Sequence, residues 1–304
     1  MGSTGYLGLV YGVMLWRGVD IEPQWVVLSL LVIAAALGRG RQFIQDWLPF
    51  LLLFFGYEVM RGFASKTGFP VHDVSGLEKG LFGGTLPTAF LQQHLYHPAV
   101  ISPYDWVTMG FYFLHFPLPI AVGFIFWVNS RDHYWHFIAA LLVMCFLAFG
   151  TYLFYPSAPP WYTFQAPGPE HVVKIIDATI RKWGVAYFVS PVYTHMDPNR
   201  FAAFPSLHAA FPTLAAVYAW RRYRPLALGL CAYTLCVWFS IVYLGEHYFV
   251  DALCGLLYVA AAALIVEGFA RRHAGGAAAV TPPVAVTSPS PSPKVEPSPP
   301  GRPD

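Results

Sequence analysis

Apolar runs separated by short basic or proline-rich turns cover most of the chain, and their lengths read as helices that cross a membrane. Residues 47–63, 106–128, 134–154, 206–220, 225–244 and 248–269 each approach the roughly 20 residues that a hydrocarbon core demands of a helix. Residues 23–38, extended slightly by their flanks, make one more. Residues 7–16 are apolar but too short, and are expected to lie half-inserted or at the interface, with a full span as the alternative; the count is seven or eight. The run 106–128 is interrupted by His115-Phe-Pro117-Leu-Pro119, whose prolines remove backbone donors and should kink it.

Two connections are too long to be passive. Residues 64–104 are polar and glycine-rich and carry His72, Asp73, Glu78, Lys79 and Gln92-Gln93-His94. Connections of this length are usually functional or hold short helices of their own. Residues 155–204 open on Tyr155-Pro-Ser-Ala-Pro159-Pro160-Trp161-Tyr162, too rich in proline to stay helical. Within that connection, residues 170–183 set Val172, Val173, Ile176 and Ile180 at helical spacing against Lys174, Arg181 and Lys182, the pattern of an amphipathic helix on a membrane surface. From residue 274 onward Ala, Pro, Ser and Val show no periodicity that could bury a core. A disordered tail, 274–304, is therefore expected to follow an integral-membrane domain, 1–273.

Composition agrees with the pattern. Hydrophobic residues make up 56% of the chain and charged residues 11%, against about 25% charged in soluble domains. The fold class is an all-α, polytopic membrane helix bundle. A net charge of +2 gives no reason to expect a nucleic-acid partner. Cys145, Cys231, Cys236 and Cys254 fall inside apolar runs with neither metal-binding nor redox spacing and read as core thiols. The N-terminus lacks the basic region of a cleavable signal peptide. Arg39 and Arg41, Arg131, Arg221 with Arg222 and Arg224, and Arg271 with Arg272 occupy alternate connections, which should be cytoplasmic. Both long connections then share the opposite face with His208 and His247. The expectation is a multi-pass protein of the plasma membrane, its site on the extracytoplasmic face and its C-terminal tail in the cytoplasm.

Candidate chemistry concentrates between Arg200 and Gly255. His247 and Asp251 are four residues apart, which on a helix puts their Cβ atoms about 5–6 Å apart on one face. Such an aspartate can accept the Nδ1–H of the imidazole and leave the other nitrogen free as a nucleophile. His208, at the same end of an apolar hairpin, is the candidate general acid. Arg200, the Ser206 hydroxyl and the backbone N–H groups of the helix opening at Pro205-Ser206 are candidate donors to phosphoryl oxygens. The scheme calls for no metal and no cofactor. Blander readings exist for the parts: a histidine at a membrane interface, a serine at a helix start. A membrane aspartate is harder to dismiss, since it costs about 2.5–3.5 kcal/mol even on the insertion scale. Two other classes compete: a proton-coupled transporter, and a metal-dependent hydrolase with His208, His247 and Asp251 as ligands. The first predicts polar groups at span midpoints and an internal repeat; the second lacks a His-Glu-x-x-His motif.

Phe204-Pro-Ser-Leu-His208-Ala-Ala-Phe followed, one hairpin later, by Ser240-x6-His247-x3-Asp251 resembles the type 2 phosphatidic acid phosphatase superfamily. The resemblance covers about residues 134–269. It implies a six-helix core, preceded here by an N-terminal helix or helices, with His247 as nucleophile, Asp251 as its orienting partner, His208 as general acid, and Ser206 and Ser240 as motif serines. Two departures matter. Phosphatase members carry a phosphate-gripping arginine where this chain has Ile241, and their upstream Lys-x6-Arg-Pro motif is missing. The segment in its place, with Tyr155, Pro159, Pro160, Trp161 and Tyr162, is similar to the inositol phosphorylceramide synthase branch. It is expected to line the substrate site, with a membrane-interface anchor as the alternative. Arg200 is the first substitute for the absent arginine, followed by Arg61, Lys66 and Lys79. The function the resemblance implies is transfer of an inositol phosphate-type head group from a lipid to a lipid or polyol acceptor, with lipid or polyprenyl phosphate hydrolysis as the alternative. The partners it implies are the lipid substrate and the bilayer itself.

Overall fold

The computed structural model describes residues 23–64, 66, 68–183 and 199–280. The apolar stretch 7–16 lies outside them. The described residues are built from helices: α1 (Pro23–Ala36), α2 (Gly40–Ala64), α3 (Ser75–Leu81), α4 (Pro87–Leu95), α5 (Pro103–Leu114), α6 (Pro117–Asn129), α7 (Arg131–Phe154), α8 (Pro160–Thr163), α9 (Ile175–Trp183), α10 (Leu207–Ala219), α11 (Arg224–Tyr243) and α12 (Phe249–Val280). The all-α class expected from the pattern holds. Two compact units divide the chain at Glu267. The second is helical as far as Val280, so the helix outruns the expected boundary at residue 273.

Four helices are long and apolar enough to cross a membrane: α2, α7, α11 and α12. The pair α5 and α6 passes the same test together, as a broken span or a re-entrant loop, and is bent by 51° at His115-Phe116, where Pro117 and Pro119 cannot continue the hydrogen-bond ladder. This is the kink expected from those prolines. By length and composition alone, four or five spans are found among the described residues, against the seven or eight expected for the whole chain. Within the described residues α1 and α10 are shorter apolar helices of 14 and 13 residues, and about 1.5 Å of rise per residue leaves each well short of a 30 Å core.

The bundle packs α2, α6, α7 and α10 around large aromatics. Phe43 stacks on Trp47 at 4.9 Å, and Trp47, Trp127, Tyr134 and Phe137 are fully buried. One buried carboxylate sits among them. Asp46 accepts from Trp127 Nε1 at 2.9 Å and Arg131 Nε at 2.8 Å, so its charge is paired and hydrogen-bonded as burial requires.

Both long connections hold short helices of their own among the described residues. The first holds α3 and α4; the second holds α8 and α9. The amphipathic reading of residues 170–183 is corrected in both extent and place. Residues 172 and 173 are not helical: Val172 N–H donates to Phe164 O at 2.9 Å, and the Gln92 side chain brackets Val173 through bonds of 2.8 and 2.9 Å. The helix that follows buries Ile175, Ile176 and Ile180 against Met109, Tyr112, Ile241 and Leu244. Its apolar face is covered by protein, and the spacing of apolar residues alone cannot distinguish that cover from lipid.

Candidate active site

Helix α11 ends at Tyr243, and the chain then turns sharply. Gly245 has φ +83°, and a Cβ there would sit 3.0 Å from both Val172 Cγ1 and Val173 O, so the turn requires glycine. The N–H groups of Glu246 and His247 both return to Ile241 O, at 3.1 and 3.2 Å. His247 thus precedes α12, and the expectation that it shares a helix face with Asp251 is corrected. Asp251 lies in the first turn, where its Oδ2 accepts the Tyr248 N–H at 2.8 Å and caps the helix. Its approach to His247 Nδ1 is longer, 3.5 Å. The nearest acceptor for Nδ1 is Ala203 O, at 2.8 Å. A carbonyl can only accept, so Nδ1 carries the proton and the neutral ring leaves Nε2 with a lone pair. That nitrogen faces His208 Nδ1 at 3.0 Å.

His208 stands on the first turn of α10. The start of that helix is tied to α12 and to α7: Ser206 N–H donates to Asp251 O at 3.0 Å, and Tyr152 OH, on α7, donates to Pro205 O at 2.7 Å. The two helices touch where α12 has Gly255, whose Cβ would lie 2.8 Å from Ser206 O. Replacing Gly255 by Ala must therefore push α10 off α12 and move His208 relative to His247. Since small misplacements of reacting groups cost up to about 100-fold, Gly255→Ala is expected to lower turnover about 10- to 100-fold with little change in donor KM, as steady-state kinetics would record.

Both histidines line one cavity of about 50 Å³, together with Arg61, Arg200, Pro159 and Trp161 among the sequence-nominated residues. Parallel bridges from His72 to Ser157 and from Ser157 to Ala202 fasten three loops at its rim and present the Ala203 carbonyl. Trp161 N–H donates to Gly245 O at 3.1 Å, so the proline-rich segment is fixed to the turn that delivers His247. Other nominated residues lie elsewhere. Ser240 Oγ donates to Cys236 O on its own helix at 2.7 Å. Ser206 Oγ is buried with no hydrogen-bond partner among the described residues, outside the cavity lining. Tyr155 stacks on His72 at 3.9 Å, and Tyr162 sets its ring edge-on to Phe201 at 5.1 Å. Pro160 is buried and off the lining. Lys79 pairs with Glu170 at 2.7 Å, and Lys66 lies over the Phe63 ring at 5.6 Å. Ile241, where an arginine stands in phosphatases, is fully buried in the cluster with Ile175 and Ile176. The apolar packing of α9 occupies that place.

Among the lining residues not nominated from the sequence, three carry carboxyl or imidazole groups. Glu58 and Glu246 contribute carboxyl groups to the cavity wall. His115, at the α5–α6 break, has its ring centroid 3.8 Å from that of His208; a histidine beside Pro-x-Pro in an apolar run was the available signal. A further residue acts from behind. Glu78 on α3 is fully buried, and its two carboxylate oxygens accept the N–H groups of Phe249 and Val250 at 2.9 and 3.0 Å. With Asp251 on Tyr248, three of the unpaired donors at the start of α12 are capped by carboxylates, where the helix dipole favours negative charge. Burial pushes the Glu78 carboxyl above its ordinary range, the two backbone donors pull it back, and neighbouring Asp251 raises it again. Glu78→Ala leaves two buried donors unsatisfied and is expected to destabilise the fold by about 2–4 kcal/mol. Thermal unfolding in detergent checks this, and Glu78→Gln, which keeps one acceptor, should recover part of the loss.

A helical membrane bundle that brings two hydrogen-bonded histidines to one polar cavity has the architecture of a membrane phosphoryl-transfer enzyme. The chain belongs to the PAP2 superfamily, whose family model matches residues 75–265. The match starts well before residue 134, where the motif resemblance was expected to begin, and so includes Glu78 while leaving out α1 and α2. The chain is 31% identical over 264 residues to the phosphoinositol dihydroceramide synthase of Bacteroides thetaiotaomicron, covering 79% of this chain and 81% of that protein. It is 32% identical over 115 residues to the inositol phosphorylceramide synthase catalytic subunit of Saccharomyces cerevisiae, covering 33% of this chain and 26% of the relative. The corresponding subunit of Schizosaccharomyces pombe is 27% identical over 207 residues, covering 59% and 43%. No solved structure matches the chain. Among the described residues, no group of three or more His, Cys, Asp or Glu side chains is arranged to hold a metal ion.

Proposed function

We propose that the protein moves an inositol phosphate-type head group from a glycerolipid donor to a lipid alcohol, through a phosphohistidine at His247 and without a metal. The observation that carries this reading is the hydrogen bond from His247 Nδ1 to Ala203 O, which sets the tautomer and turns the Nε2 lone pair towards His208 and the cavity. In the first half-reaction Nε2 forms a bond to phosphorus while the bond from phosphorus to the glycerol oxygen breaks. His208 protonates the departing oxygen. In the second, the acceptor hydroxyl gives its proton to His208 as its oxygen attacks phosphorus, and His247 is released. Asp251, buried 3.5 Å from Nδ1, balances the positive charge that the ring acquires. Arg61 and Arg200, which line the cavity, supply donors to the phosphoryl oxygens in place of the arginine that Ile241 displaces.

Transfer is favoured over hydrolysis by the lid. Pro159 and Trp161 close one wall of the cavity, and Trp161 is fixed to Gly245 O, so an amphiphilic alcohol entering from the bilayer competes well with water. The names of the relatives specify a phosphoinositol group and a ceramide or dihydroceramide product; a ceramide-like acceptor is the reading they support for this chain. The alternating arginines support a site on the extracytoplasmic face of the plasma membrane with the C-terminus inside.

Purified enzyme in detergent with EDTA, given phosphatidylinositol, should release diacylglycerol and form an inositol-phosphorylated lipid only when ceramide or diacylglycerol is added as acceptor. Acceptor-independent release of inositol phosphate would make it a hydrolase. Activity lost in EDTA and restored by a divalent cation would overturn the metal-free scheme.

A further inference from the structure

We propose that Glu58 is a specificity-determining residue that reads the hydroxyl groups of the polyol head group; the inference rests on the head-group-transfer reading and deepens it. Glu58 and Arg61 stand on the last two turns of α2, outside the region shared with the PAP2 superfamily, yet both line the cavity that holds His208 and His247. A catalytic core is common to members that release many different head groups. A polar pair contributed to its cavity from outside that core is therefore placed to distinguish substrates rather than to perform the shared chemistry.

The pair has a particular geometry. Arg61 Nε and Nη2 both donate to one carboxylate oxygen of Glu58, Oε2, at 3.2 and 3.0 Å. Among the described residues the other oxygen, Oε1, accepts no hydrogen bond. The side chains are only 13% and 19% exposed, Arg61 and Glu58 respectively, so this is a largely desolvated carboxylate that lines the cavity with one oxygen not engaged by the described residues. A largely desolvated carboxylate is costly, and a single shared oxygen offsets that cost incompletely. The ligand group that completes it must donate hydrogen bonds and carry no negative charge. Phosphate oxygens fail on the second condition; the hydroxyls of a polyol meet both. The guanidinium beside it takes the opposite partner, the phosphoryl oxygens. The pair thus orders the head group along the cavity, hydroxyls on Glu58 and phosphate on Arg61, with phosphorus directed to the histidines.

A site built around substrate hydroxyls rejects an analogue that lacks them, because its buried acceptor is then left unpaired. Binding to full-length protein in detergent tests this directly, with inositol 1-phosphate and inorganic phosphate as probes on wild type and Glu58→Gln. The wild type is expected to prefer inositol 1-phosphate by about tenfold or more. Glu58→Gln is expected to weaken inositol 1-phosphate about 10- to 100-fold more than inorganic phosphate, the range of one or two charge-assisted hydrogen bonds. Glu58→Asp keeps the charge and withdraws it by one methylene; it should lose an intermediate share and serves if the glutamine variant unfolds. A wild type without preference, a variant that retains it, or equal weakening of both anions would each overturn the assignment, the last by showing that Glu58 acts only through Arg61. The acceptor assay above is independent of these outcomes. Transfer that proceeds normally while Glu58→Gln keeps its preference overturns this inference alone, whereas hydrolysis without transfer overturns the reading beneath it.

Discussion

His247→Ala is expected to abolish turnover of phosphatidylinositol, by about four orders of magnitude or more, and with it any covalent phosphorus on the protein. The size follows from what the residue supplies. Removing the attacking atom of a nucleophilic enzyme leaves only what binding and charge stabilisation contribute, and losses of this order accompany such deletions. Water could replace the ring as nucleophile, but the wall formed by Trp161 and Pro159 is proposed to favour an amphiphilic alcohol over water, so direct hydrolysis should not rescue the variant. The check uses donor labelled in the head-group phosphate, quenched in alkali, where a phosphorus–nitrogen bond survives and acid cleaves it. Wild type without acceptor should accumulate label that is stable in alkali and lost in acid; His247→Ala should carry none while still binding donor. Label retained in the variant, or turnover within tenfold of wild type, would move the nucleophile to another residue. His115, with its ring against that of His208, would be the next to examine.

The parts of the site that were legible in the sequence are those that a short local pattern can carry. His208, His247 and Asp251 sit at helix ends that apolar runs and arginine turns predict, and the structure brings all three together. Their bonding was not legible. Asp251 was expected to hold His247 Nδ1, yet its Oδ2 caps Tyr248 and the imidazole proton goes to Ala203 O, a contact formed by a loop whose position depends on bridges to Ser157 and His72. The same limit applies to α9. Its isoleucines at helical spacing are equally suited to lipid or to protein, and only the neighbouring Tyr112, Ile241 and Leu244 decide the matter. Glu58 and Glu78 were both visible as letters. What made them matter, the face of α2 turned to the cavity and the docking of α3 on the start of α12, is tertiary. Lys66 and Lys79 lie off the cavity lining for the converse reason: a lysine in a loop finds a nearby ring or carboxylate, as Lys79 does in Glu170.

The second large effect separates His208 from a purely structural role, because the proposed acid matters in proportion to how badly the leaving group needs a proton. The diacylglycerol oxygen leaves as a strongly basic alkoxide unless protonated, so removing the acid should slow the natural donor by about 10²–10⁴-fold, the usual worth of a positioned general acid. A 4-nitrophenyl ester of inositol phosphate leaves as a stable phenolate and needs no proton. With that donor, His208→Ala should still give a rapid burst of nitrophenolate close to one equivalent per enzyme. It should then stall, since the same side chain is the base that activates the acceptor hydroxyl in the second half, and phosphohistidine should build up. The ring packs between Tyr112 and His115, at 4.4 and 3.8 Å between centroids, and truncation leaves a void there. His208→Gln, which fills more of that space, belongs beside it. A structural role would depress both donors together and would be relieved by the larger side chain. A catalytic one would leave the burst intact in both variants and the natural donor slow in both. Stopped-flow absorbance for the burst and alkali-stable label for the intermediate would read the two halves of the reaction separately.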